Sequence, residues 1–403
     1  MRSAIVALSV LLIAACSRAT PSLPVAPNVA SAQTRPPTGS AFSSLYAFAG
    51  SPDGAVPVSN VTKLNRTLYG TTSQGGSGTC GSTGCGTVFA ITSRGSEHVV
   101  YDFAGGTDGA DPQAGLTAVN GRLYGTTRGG GSKQNYGTVF ELVTGGERVL
   151  HRFAGKPDGE NPYSTLLFYN GLFYGTTYGG GAHKFGTVFT VSRSGKESVL
   201  YSFKGGADGA SPLGGLIAVG GTFYGTTAGG GAHAGGTVYG LTTAGKETVL
   251  YSFKGGSDGL TPSTTLAYAG GSLYGTTVYG GTASQSNGTV FSVTLKGKES
   301  VLYRFQGGSD GASPFGNLVW AKGALYGTTY FGGSGGASGH GNGTIYEITK
   351  AGSEVPLHLF QGGADGGNPA AGLYLSNRRL FGTSSEAGLS QPSGDGTAFS
   401  LSI

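Results

Sequence analysis

An all-β ring of seven four-stranded units is the fold class this sequence predicts, on three observations. The phrase Leu-Tyr-Gly-Thr-Thr, or a close variant, stands at Leu68–Thr72, Leu123–Thr127, Phe173–Thr177, Phe223–Thr227, Leu273–Thr277, Leu325–Thr329 and Leu380–Ser384. Its central glycines, from Gly70 to Gly382, step by 55, 50, 50, 50, 52 and 55 residues. A period of roughly 20–50 residues marks a repeat architecture. Every unit also holds short runs rich in Val, Tyr, Phe and Thr, bounded by Gly or Ser, which is strand chemistry. Finally, the chain opens on the last run of a unit and closes on the third, an offset that a closed ring explains.

The fourth unit shows the runs clearly: A is Gly215–Val219, B is Thr222–Thr227, C is Gly236–Leu241 and D is Glu247–Phe253. The A–B joint is Asn-Gly at Asn120–Gly121 and Asn170–Gly171, and Gly-Gly at Gly220–Gly221. Such pairs accept positive φ at both turn positions and favour a tight hairpin. No segment after the N-terminal apolar run keeps a 3.6-residue apolar period, so helices are not expected. Four antiparallel strands repeated seven times describe a β-propeller.

The first run, Leu45–Phe48, matches D, and the last, Gly396–Leu401, matches C. Seven of each strand type result only if the N-terminal outer strand joins the last blade. Ring closure leaves no open sheet edge between first and last blade, whereas an open solenoid calls for capping repeats. Six C–D turns carry Glu97, Glu147, Glu197, Glu247, Glu299 and Glu354.

Eighty glycines in 403 residues would suggest low complexity if aperiodic, but they recur in register. Charged residues are only 11% and net charge is +5, too dispersed for a nucleic-acid footprint. Arg2 precedes an apolar run, Ala4–Ala15, too short to span a bilayer and right for a signal peptide at 1–15. The sequence Ile13-Ala14-Ala15-Cys16 resembles a bacterial lipobox, which implies lipidation of Cys16 and an exported protein at the outer membrane or cell surface, or in the periplasm. Residues 16–42 carry five prolines among Ser, Ala and Thr and read as a tether, leaving 43–403 for the propeller. Cys80 and Cys85, a local pair in an exported chain, are expected to form a disulfide.

The LYGTT phrase with its following glycines, the GTVF phrase and the ExVLYxF phrase resemble the GloVer repeat of exported "choice-of-anchor" bacterial proteins. The phrases recur from about residue 44 to the C-terminus. The resemblance implies a surface protein held by an anchor, and it supplies no reaction and no catalytic residues.

Strand alternation places the B–C and D–A loops on one face of the disc. The B–C loops are long and varied, and variable loops on a rigid scaffold are where binding resides. They carry Tyr136, Tyr178, Phe185, Tyr279, Tyr330 and Phe331, with His183, His233 and His340. Flat rings among Gly, Ser and Asn suit a sugar or peptide surface, although the same rings can pack over neighbouring blades. His183 and His233 share one loop position in adjacent blades but lack the further ligands a metal needs. The D–A loops repeat an aspartate before glycine: Asp53, Asp108, Asp158, Asp208, Asp258, Asp310 and Asp365. These form either a cation-binding rim or, as their presence in every blade favours, caps of their own turns. Asp111, Glu160 and Glu386 depart from the repeat nearby.

The A runs, which should line the channel, carry a single charge, Lys63, and no carboxylate pair or Ser/His/Asp set. The sequence therefore points to a monomeric, surface-anchored, non-catalytic binder of a glycan or an envelope or extracellular protein. It needs no cofactor and contacts no nucleic acid, and it meets the membrane through its lipid only. A polysaccharide hydrolase or lyase with loop-borne acids, and an envelope scaffold, are the alternatives.

Overall fold

The computed structural model describes residues 41–92, 94–282, 286–333, 341–349, 351–386 and 394–403. The expected signal segment, Cys16, the expected tether up to residue 40 and His340 lie outside the described residues. Seven antiparallel sheets are each built from runs A to D in the order A-B-C-D. In the first blade these are Thr62–Leu64, Thr67–Thr72, Thr87–Thr92 and Glu97–Asp102. In the last they are Tyr374–Ser376, Arg379–Ser384, Thr397–Ser402 and the N-terminal strand Phe42–Ala47. That strand begins one residue before the expected boundary and pairs antiparallel with its neighbour, Phe42 opposite Leu401 and Ala47 opposite Thr397. The only helical elements among the described residues are four single 3-10 turns in D–A loops, such as Gly206–Asp208.

Each letter of the repeated phrase has a physical task. Its glycine lies under the aromatic ring of strand C: a Cβ on Gly70 would come within 2.5 Å of the Phe89 ring, and one on Gly225 within 2.6 Å of the Tyr239 hydroxyl. Its first threonine reaches the next blade, as Thr226 Oγ1 donates to the Thr264 carbonyl at 3.1 Å and Thr71 Oγ1 to that of Ala114 at 3.0 Å. Thr383 makes the same bond from the last blade to Ser59 of the first, at 3.1 Å. The second threonine stays within its blade, pairing with the first residue of strand C, as Thr227 with Thr237 at 2.8 Å. All these hydroxyls are buried, and buried polar groups need such partners.

Between blades lie separate apolar cores, one per seam. Phe48, Val61, Leu68, Phe89 and Phe381 fill the seam between last and first blade. The A–B hairpins turn on left-handed residues as expected: Asn120 has φ 51° and Gly121 78°. The A strands are three residues long rather than five, because the first residues of each run bond sideways to a neighbouring blade. Gly372 N donates to Asn60 Oδ1 at 2.6 Å, and Gly215 N to Thr265 Oγ1 at 2.8 Å.

D–A and B–C loops zip together on one face. Gly54 pairs with Gly75, Gly109 with Gly130, Gly159 with Gly180 and Leu260 with Tyr279. Cys80 and Cys85 are joined in the first of the B–C loops. The loop face is therefore a hydrogen-bonded surface over the whole ring.

Candidate ligand-binding site at the channel mouth

On the loop face the starts of the seven A runs surround a cavity of about 110 Å³. Each D–A loop enters it with the same frame: a proline, one varied residue, then a small buried residue. The varied residue is Val58, Gln113, Tyr163, Leu213, Ser263, Phe315 or Ala370 in turn, and all seven line the mouth and are half-buried. In an otherwise repetitive chain, this ring holds a different side chain in every blade. The cavity has room for one projecting group. Ser263 Oγ is buried there without a hydrogen-bond partner, an acceptor and donor left open to a ligand.

Two aromatic groups flank the mouth. Beside Gln113 and Tyr163, Arg128 pairs with Asp111, its Nε donating to Oδ2 at 2.5 Å. Gln113 Nε2 donates to the other oxygen of Asp111 at 2.5 Å. Arg128 also lies 5.9 Å over the Tyr163 ring and donates to its hydroxyl at 3.4 Å. Burial raises the Tyr163 hydroxyl pKa, an effect Arg128 partly opposes. Tyr178 meets Tyr163 edge-on at 5.9 Å and remains 41% exposed.

Three blades further round, Phe315 meets Tyr330 at 5.6 Å, and Tyr330 meets Phe331 at 4.8 Å. The Tyr330 hydroxyl donates to Glu386 Oε1 at 3.0 Å. Burial first, then the Glu386 charge, holds that hydroxyl far above its usual pKa, so it stays a donor. With three steps between them in a ring of seven, the two groups face each other across the mouth.

The structure thus sorts the residues expected to bind. Tyr178, Tyr330 and Phe331 join the two groups at the mouth. Tyr136 packs against the core around Phe153 and Phe189, because its ring closes a blade seam. Tyr279 is half-buried in the extended strand Ser272–Tyr279. His183, Phe185 and His233 are exposed on their loops; Phe185 lies against Gly205. His183 and His233 are not among the three-ligand groups of the described residues. Sequence reasoning missed Gln113, Arg128, Tyr163 and Phe315. The signal was the single varied position after a proline that recurs in every blade.

The aspartate ring serves the turns. Asp53 Oδ2 accepts from the Tyr46 hydroxyl at 2.9 Å and from Ala49 N at 3.0 Å. Asp208 and Asp258 repeat both contacts with Tyr201 and Lys204, and with Tyr251 and Lys254. Behind six of these aspartates lies the glutamate that starts strand D of the next blade, each with one buried oxygen, Oε1, lacking a hydrogen-bond partner. Burial, then the neighbouring aspartate, pushes Glu97, Glu247 and Glu299 up to about 7, and Glu147 and Glu354 up to about 8.

Comparison with known proteins agrees with this architecture. A family model described as the Gloeobacter/Verrucomicrobia repeat matches residues 77–287 and 266–403. The chain belongs to this repeat family. No curated protein matches it in sequence. Among solved structures it is similar to a Xanthomonas campestris gluconolactonase, at 13% identity, TM-score 0.44, 96% of this chain and 99% of that one. A Thermus thermophilus protein named as an oxidoreductase (glucose dehydrogenase) is 15% identical, TM-score 0.46, over 72% of this chain and 96% of that one. A Mycobacterium tuberculosis puromycin-hydrolysing peptidase is 12% identical, TM-score 0.50, over 84% of this chain and 52% of that one.

At such identities these likenesses show the fold alone. The expectation that the chain is no enzyme is nevertheless corrected, since a protein named as a peptidase shares its fold at TM-score 0.50. The expectation rested on A strands whose single charge is Lys63, and the physical fault is one of place: ionisable groups such as Asp111, Arg128 and Glu386 sit at the mouth, outside the channel wall.

Proposed function

We propose that this Gloeobacter/Verrucomicrobia repeat protein binds a glycan laid across the channel mouth of its loop face. One observation carries the reading: the position that the repeat leaves free rings the mouth, between two facing aromatic groups. Sugar rings present apolar C–H faces to aromatics such as Tyr178, and hydroxyls to donors and acceptors such as Gln113, Arg128 and Glu386. Rigid aromatic side chains also supply contact area at low entropic cost. A peptide partner would use the same rings but would gain less from the dense polar rim.

The test is titration of the protein with a glycan that it retains, for wild type and Tyr178→Ala. Loss of one stacking ring worth about 1.4 kcal/mol weakens binding about tenfold. The variant should melt as wild type does, because this ring is exposed. Unchanged affinity would remove the mouth from the binding site. Assay of the same mixtures for cleaved sugar separates retention from turnover.

A further inference from the structure

The seven blade seams provide a natural substitution series. In five, the aspartate of the D–A loop meets a tyrosine of its own strand D and the glutamate opening the next blade's strand D. The Tyr46–Asp53 and Tyr201–Asp208 bonds belong to such seams, facing Glu97 and Glu247. Two seams carry histidine in place of tyrosine. At one, His358 lies 3.1 Å from Asp365, but the glutamate position is taken by Phe42, which stacks on the imidazole at 3.7 Å. Strand register proves the equivalence: Phe42 sits opposite Leu401 as Glu97 sits opposite Ile91.

Among the described residues, only the seam between the second and third units by sequence combines all three ligand types. His151 Nε2 is 3.0 Å from Asp158 Oδ2. One ligand atom from each of His151, Asp158 and Glu197 lies within 4.8 Å of the others. His151 and Asp158 keep 18% and 15% of their side-chain surface exposed, enough for an ion to enter and for water to complete its shell. Glu197 Oε1 is buried with no hydrogen-bond partner.

The geometry points to a divalent transition-metal site formed by His151, Asp158 and Glu197 across this seam. An imidazole with two carboxylates suits zinc, manganese or cobalt. A neutral tyrosine hydroxyl, by contrast, is a poor ligand, so the five tyrosine seams do not bind. An ion here would tie the D–A loop of one blade to strand D of the next.

The experiment is calorimetric titration of the untagged, metal-free protein with zinc chloride. Wild type should bind one zinc ion per chain at this site, beyond any weak uptake elsewhere. His151→Tyr restores the side chain that five other seams tolerate, so it should fold normally and lose that ion, while His183 and His233 remain. Tyr201→His converts the seam with Asp208 and Glu247 into a second copy, and should raise the stoichiometry by one. No tight binding by wild type, or a stoichiometry unchanged in His151→Tyr, overturns the site. Loss in His151→Tyr without gain in Tyr201→His keeps the assignment and confines it to this seam's geometry.

Discussion

Removal of residues 41–48 is expected to abolish cooperative folding rather than trim one edge. This segment is the outer strand of the last blade, and its two phenylalanines serve two seams. Phe48 is 1% exposed and meets Phe89 of the first blade at 5.0 Å. Phe42 packs on Phe360 and Phe399 at the other side of its blade. Deleting the buried Phe48 ring costs about 3–5 kcal/mol, and the half-buried Phe42 ring less, against a total stability of about 5–15 kcal/mol for a typical domain. The truncation also strips strand C of the last blade, exposing an unpaired edge prone to association. Thermal unfolding followed by circular dichroism should show no sharp transition, or one lowered by well over 10 °C. The milder Phe48→Ala variant should fold and lose about 3–5 kcal/mol. Melting unchanged by the truncation would mean the N-terminal strand does not close the ring.

The second large effect is on pH. The glutamates of the five tyrosine seams, Glu97, Glu147, Glu247, Glu299 and Glu354, sit at about 7 to 8 in the folded protein because burial and a facing aspartate disfavour their charge. Unfolded, a glutamate titrates near its ordinary value, about 4.3. The folded state therefore binds more protons between these values, and stability falls as pH rises. The contribution is whole below about pH 4.3 and lost as pH passes 7 to 8. Nearby cations soften the loss at three seams: Arg152 beside Glu147, Lys204 beside Glu247, and Lys254 and Arg304 beside Glu299. Discounting for the water that reaches these half-buried groups, each seam contributes about 1 kcal/mol.

The melting temperature should accordingly drop by several degrees from pH 6 to pH 9. Glu247→Gln, which keeps the shape and stays neutral, should shrink that drop. A melting temperature that is flat or rises over this range would show that the glutamates are already charged in the fold.

The fold was legible because the repeat exposes its own rules. Gly70 and its six equivalents recur since a ring in strand C leaves no room for a Cβ, and the two threonines that follow recur since each has a fixed buried partner. Strand lengths were less legible: run A looks like five residues, but hydrogen bonds to the next blade, such as Gly372 to Asn60, are invisible along one chain segment. The face that carries the proposed site was legible as a varied loop face, from the B–C loops. Its centre was not, because Gln113, Tyr163 and Phe315 belong to the D–A loops, whose regular Asp-Gly and proline frame hid the one free position. His151 and Glu197 are 46 positions apart and meet only because consecutive blades abut.

The mouth of the channel is the central claim, and a glycan array tests it most directly when wild type is read beside Ala370→Trp. Ala370 is one of the smallest side chains in the ring, and an indole there would fill the cavity of about 110 Å³ and cover the rim. The account predicts saturable binding of a defined set of glycans by wild type and its loss in Ala370→Trp, with both proteins melting alike. Equal binding by the two, or no glycan held by either, would contradict it.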